Sequence, residues 1–149
     1  FLQRAQEKVI VADGAMGTMI QQYGLTAADF GGLDGCNEFL VETRPQIIRE
    51  IHAAYFAAGA DVVETNSFGS SSIVLAEYDI AEKAYHLSKR AAELARSAAD
   101  EFSTPSFPRF VAGSVGPTTK LASLGHIRFD ELSESYFAHM VGLLEGGID

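Results

Sequence analysis

The sequence predicts an α/β fold, the opening part of a parallel (β/α)8 barrel comprising about the first three β/α units. Three observations lead there. Short apolar, β-branched runs enter polar, Gly-bearing loops at VIVADGAMGT (9–18), DVVETNSFG (61–69) and RFVAGSVGPTTK (109–120). Segments of helical period separate these runs, an alternation that implies a parallel sheet with right-handed crossovers. The final LLEGGID (143–149) echoes YFAAGAD (55–61), which leads into the second run. A fourth strand is therefore expected to begin at Ile148. The domain reading is a single piece, 1–149, cut before that strand.

The first strand is expected at Val9 to Ala12. A long loop follows, punctuated by Gly14, Gly17, Gly24, Gly31, Gly32 and Gly35. Thr43 reads as the N-cap of the next helix, with Pro45 in its first turn where a missing N–H costs little. Ile47, Ile48, Ile51, Ala54, Tyr55 and Ala58 share one helical face, and Gly59 is a suitable stop. The second strand spans 61–65. Ser70–Glu77 reads as a short helix. A long helix then runs from Ile80 to Asp100, its inner stripe Ile80, Ala84, Leu87, Ala91, Leu94 and Ala98. Two prolines mark the turn at 103–108, and Phe110–Ala112 make the third strand. Asp130 reads as the N-cap of a last helix that buries Leu132, Tyr136, Met140, Leu143 and Leu144 and ends at Gly146-Gly147. A dinucleotide-binding sheet is the alternative, but no GxGxxG turn opens directly into a helix.

Composition narrows the function. The chain has 149 residues, 47% hydrophobic and 21% charged, which are globular proportions. Net charge is −9 and the eleven Lys and Arg are scattered. Nucleic-acid and anionic-membrane partners need a basic patch and are not expected. One cysteine, Cys36, excludes an internal disulfide framework or a Cys-only metal site. The start FLQRAQEKVIV has no initiator Met and no apolar signal segment, so a cytoplasmic piece of a longer protein is expected.

The junction Asp13-Gly14-Ala15-Met16-Gly17-Thr18 carries the sharpest chemical signal. A carboxylate at a strand's carboxyl end can pair with an ammonium group. The glycine-bearing amides after it can turn toward a carboxylate. Together they suit the zwitterionic end of an amino acid, although a tight turn capped by Asp13 gives the same pattern. In Glu64-Thr65-Asn66, strand alternation puts Glu64 and Asn66 on one side and Thr65 on the other. Asn66 is the candidate to orient a substrate, or else caps the strand end. Ser114–Lys120 lacks P-loop spacing and is expected to shape the wall of the mouth. His52, His86 and His139 fall in helices and are expected to lie away from the strand ends as packing or surface residues. His126 is a loop residue, and Cys36 reads as a small semi-buried one.

The stretches VADGAMGTMIQ (11–21), GCNEFLVETRP (35–45), IHAAYFAAGADVVETNSFG (51–69) and VAGSVGPTT (111–119) occur here in a set order and spacing. In these the chain resembles the amino-terminal homocysteine-binding module of the cobalamin-dependent methionine synthases, within the homocysteine S-methyltransferase family. The resemblance covers almost the whole chain. It implies a (β/α)8 barrel that transfers a methyl group from methylcobalamin to a zinc-activated homocysteine thiolate, giving methionine. It implies zinc and cobalamin in the full-length protein, with neither bound by this segment alone. The family's cysteine ligands are expected beyond Asp149, so no catalytic or metal residue is assigned here and the segment alone is expected to be inactive. The substrate-binding residues carried over are Asp13, for the homocysteine amine; Gly14, Ala15 and Met16, for its carboxylate; and Asn66, at the mouth. The expected partners are homocysteine, the rest of the barrel, and folate and cobalamin modules of the same polypeptide. Two alternatives stand beside this reading. One is a cobalamin-independent methyltransferase using betaine or S-methylmethionine. The other is a stand-alone, non-catalytic half-barrel.

Overall fold

The computed structural model describes residues 1–149. Helix α1 (Leu2–Glu7) precedes α2 (Met16–Gln21), a 3-10 turn at Asn37–Phe39, α3 (Leu40–Thr43) and α4 (Pro45–Ala57). Strand β1 (Val62–Glu64), α5 (Ser72–Leu75), α6 (Ala84–Phe102), β2 (Phe110–Ala112) and α7 (Phe129–Gly146) follow. The two strands pair in parallel, Val63 opposite Val111. No helix is long and apolar enough to cross a membrane.

The expected first strand is reduced to a single parallel bridge between Ala12 and Val62. The Val11 carbonyl accepts from the amides of both Asp61 and Val62, while the Val11 amide donates to the Asp61 carboxylate at 3.0 Å. One neighbour and a side-chain cap replace a ladder, and Val9 remains 84% exposed. At the other end Ile148–Asp149 form no strand. Even so, the Asp149 amide donates to the Val111 carbonyl, which lays the chain along the free edge of β2.

Several further expectations change. Arg128, not Asp130, is the N-cap of α7, and Asp130 lies in its first turn. Thr43 does not cap α4; it closes α3, its hydroxyl donating to the Phe39 carbonyl, and Arg44 is the N-cap. Along α4 the inner face turns from Ile48 and Ile51 to His52 and Phe56, leaving Ala54 and Ala58 exposed. Phe56 packs there with Val63, Val111 and the small residues Ala95, Ala98 and Ala99 of α6. The larger core gathers Leu40, Ile48, Ile51, Leu75, Leu87 and Ala91. All six residues of the stripe expected for the long helix are buried, although the α-helix begins at Ala84 after a 3-10 turn at 81–83.

Helix α7 lies along α6 through a face of small residues. A Cβ at Gly146 would stand 2.4 Å from the Lys89 carbonyl oxygen, and one at Gly142 would stand 2.5 Å from that of Tyr85. The backbones touch because no side chain intervenes. This contact sets the rotation of α7. Ser135, His139, Gly142, Leu143 and Gly146 face inward. Met140 and Leu144, expected to be buried, are 46% and 64% exposed, and Phe137 is exposed beside them.

Candidate functional site

Chain direction brings three loops to one end of the short sheet: those after Ala12, β1 and β2. They enclose a cavity of about 350 Å³ lined by Asp13, Gly14, Ala15, Met16, the run Glu64–Phe68, and Ser114. All five residues carried over from the family resemblance therefore meet at one place.

Asp13 is held by the neighbouring strand: its Oδ2 accepts the Glu64 amide at 3.1 Å. Burial pushes its pKa up from 3.8 to about 6, and the Glu64 charge adds to the rise, while the amide bonds pull part of it back. Asp13 is thus ionised at neutral pH in a setting that disfavours its charge. The next residues do not form a glycine loop throughout, because α2 begins at Met16. The amides of Gly14, Ala15 and Met16 donate to no group of the protein. Tyr55, from α4, closes over this turn, its hydroxyl donating to the Ala15 carbonyl at 3.5 Å.

The loops after β1 and β2 are tied by a closed ring of hydrogen bonds. The Ser114 amide donates to Thr65 Oγ1 at 2.9 Å. Thr65 Oγ1 and Ser67 Oγ lie 2.6 Å apart, and Ser67 Oγ donates to the Ser114 carbonyl at 2.8 Å. Ser114 Oγ then donates to Glu64 Oε2 at 3.0 Å, which steadies that carboxylate at the mouth. The Gly116 amide donates to the Phe68 carbonyl, and a Cβ at Gly116 would stand 2.7 Å from that oxygen. Of the segment Ser114–Lys120 expected to shape the wall of the mouth, only Ser114 lines the cavity.

Asn66 lines the cavity at 6% exposure, and its Nδ2 donates to the Asn37 carbonyl at 2.8 Å. Glu38 Oε1 accepts the Gly69 amide at 2.8 Å. The segment around Cys36 thus buttresses the second loop from outside. The sequence flagged this segment only through family resemblance; its own signal is an Asn-Glu pair beside the buried Cys36, just after a turn glycine.

Two side chains of α7 reach the same region, and one was misplaced by sequence. Tyr136 donates its hydroxyl to the Gly116 carbonyl at 3.1 Å. His139, expected away from the strand ends, lies beneath them against the backbone of Ser67 and Ser114. It is fully buried, and burial pushes its pKa down to about 4. His52 is also buried and similarly shifted, whereas His86 is exposed beside Glu42.

The donor set does not suit a zinc ion. No three His, Cys, Asp or Glu side chains converge. Cys36 is fully buried, and burial pushes its thiol up to about 11. That favours the protonated thiol over the thiolate a metal needs.

Residues 10–149 match the homocysteine S-methyltransferase family. The chain belongs to that family. It is 49% identical over 148 residues to the methionine synthase of Mycobacterium leprae (strain TN), a match covering 99% of this chain and 12% of that protein. It is 48% identical over 143 residues to the methionine synthase of Mycobacterium tuberculosis (strain ATCC 25618 / H37Rv), covering 96% and 12%. The chain thus spans about an eighth of the length of these relatives. Among solved structures, the metallated form of the homocysteine methyltransferase MmuM from Escherichia coli superimposes with a TM-score of 0.79 at 26% identity. That match covers 99% of this chain and 54% of the enzyme. The oxidized form gives a TM-score of 0.74 at 28% identity, covering 95% and 51%. The mixed α/β arrangement is therefore shared with about half of a homocysteine methyltransferase.

Proposed function

We propose that residues 1–149 supply the first β/α units of a (β/α)8 barrel in a cytoplasmic methionine synthase, and that their cavity holds the amino-acid end of homocysteine. One observation carries this reading. A carboxylate that burial and a like charge have made uncomfortable faces the same cavity as a run of uncommitted backbone amides. An ammonium group beside Asp13 would relieve the repulsion from Glu64 and form a charge-assisted hydrogen bond. The substrate carboxylate would take the amides of Gly14, Ala15 and Met16. Asn66, fixed by Asn37, and Glu64, fixed by Ser114, would complete the walls. The contribution of these residues is orientation: they aim the thiol and move no proton.

The barrel itself is inferred from surfaces. The apolar outer face of α7, with Phe137, Met140 and Leu144, and the free edge of β2 suit cover by further β/α units. Zinc and cobalamin belong on this reading to the longer polypeptide, as do its folate and cobalamin modules. The length of the mycobacterial relatives favours a cobalamin-dependent enzyme over one using betaine or S-methylmethionine. Methionine formation by the full-length protein tests this directly. Methylcobalamin as donor is expected to yield methionine. Methionine from betaine or S-methylmethionine alone would move the assignment to the other branch, and no methionine from any donor would remove it.

A further inference from the structure

Helix α7 presents polar side chains to the underside of the cavity, and the reaction outlined above uses none of them. Tyr136 and His139 stand one turn apart, on the same face. Tyr136 is satisfied by the Gly116 carbonyl. His139 is not: it is 0% exposed, yet neither Nδ1 nor Nε2 completes a hydrogen bond. Its surroundings explain why a polar ring sits there. On the same helix face Tyr136 reaches Gly116 and Leu143 packs against Gly113, so the ring between them lies at the backbone of Ser114 and of Ser67, which is bonded to it. Packing alone would be served better by an apolar side chain, since a buried polar group without partners is costly.

We propose that His139 is a positioning residue for the homocysteine site, supporting from below the loop after β1 through the Ser67 carbonyl, which the bond from Ser67 Oγ to the Ser114 carbonyl ties to the loop after β2. The proposal rests on the site reading given above. Ser114 holds Glu64 through its hydroxyl, and Ser67 directly follows Asn66, so a shift of either carbonyl displaces a wall of the cavity. Burial keeps the ring neutral at physiological pH, leaving one N–H donor that serves one carbonyl at a time. The Ser114 carbonyl already accepts from Ser67 Oγ, which leaves the ring free to take Ser67.

The test uses the full-length enzyme with H139L, H139Q and D13N, reading melting temperature, homocysteine KM and methyl-donor KM. H139L is expected to raise the homocysteine KM about fivefold or more while leaving the donor KM within about twofold. H139Q, which keeps an N–H donor, is expected to return the homocysteine KM to within about twofold of the parent. If H139L does not fold, H139M makes the same comparison. A parental KM in the apolar variant, with a raised KM in D13N, would overturn the role of His139 alone. Equal impairment in H139L and H139Q would reduce that role to packing. A parental KM in D13N would remove the site reading and this inference with it.

Discussion

Replacing Asp13 with Asn should make the protein more stable and the enzyme worse. The side chain keeps its shape, and an Asn oxygen can still accept the Glu64 amide now held at 3.1 Å. What disappears is a negative charge that burial and Glu64 both oppose. The native pKa of about 6 lies above the 3.8 of the unfolded chain, so the folded state holds the proton more tightly. Ionisation of Asp13 therefore costs stability as pH rises from about 4 to 6, and the full cost is present above that window. The shift sets a ceiling of about 3 kcal/mol, and solvent around a partly exposed carboxylate cuts this to about 1–2 kcal/mol. Urea denaturation should show D13N ahead by that amount at pH 8, with the advantage fading as pH falls through the window to about 4. The homocysteine KM in the full-length enzyme should rise by about 5- to 150-fold, the equivalent of 1–3 kcal/mol for a charged hydrogen bond. A D13N protein that is less stable at pH 8, or one with unchanged homocysteine KM, would refute the reasoning.

Two other substitutions probe the frame that places the site. G146A gains up to about 1 kcal/mol of helix propensity but puts a Cβ against the Lys89 carbonyl, so overpacking should win. A net loss of about 1–2 kcal/mol in denaturation is expected, and equal or higher stability would show that α7 and α6 are not in backbone contact. D61N weakens the carboxylate that accepts from Lys8 Nζ at 2.6 Å and from the Val11 amide at 3.0 Å. Burial pushes the Asp61 pKa up, but the Lys8 and Val11 hydrogen bonds, with the charges of Lys8 and Arg109, outweigh it and hold the group below 3.8. Its stabilisation is therefore present above about pH 4 and lost as pH falls through the lowered value. D61N should cost about 1–3 kcal/mol at pH 7, and the gap should close in acid; a gap independent of pH would refute the ion-pair account.

Much of the fold was legible because strong local signals agreed with the tertiary arrangement. The alternating order of runs located β1 and β2, and the small-residue stripe of α6 is buried as read. The misplacements share a cause: they were decided by neighbours that periodicity does not contain. Val9–Ala12 reads as a strand but has only one strand beside it, and Asp61 caps Val11 instead. The sequence orients helix α7 by the stripe Leu132, Tyr136, Met140, Leu143 and Leu144, whereas the glycine contact with α6 fixes its rotation. His139 reads as an ordinary helix histidine for the same reason, since only that rotation carries it beneath Ser67 and Ser114. At the cavity, Asp13 through Met16 and Asn66 were marked by local chemistry. Asn37, Glu38 and Tyr55 act from separate elements, and only the folded chain brings them in.

The central claim is that Asp13 receives the amine of homocysteine. It is tested most directly by a cycle that removes the charge from the protein and the amine from the ligand. Dissociation constants would be measured for homocysteine and for 4-mercaptobutyrate plus its amine-free, carboxylate-bearing chain analogues, with the parent enzyme and with D13N. The account expects the parent to prefer homocysteine by about tenfold or more, and D13N to reduce that preference to within about twofold. A preference of the same size in both proteins would place the amine elsewhere and contradict the account.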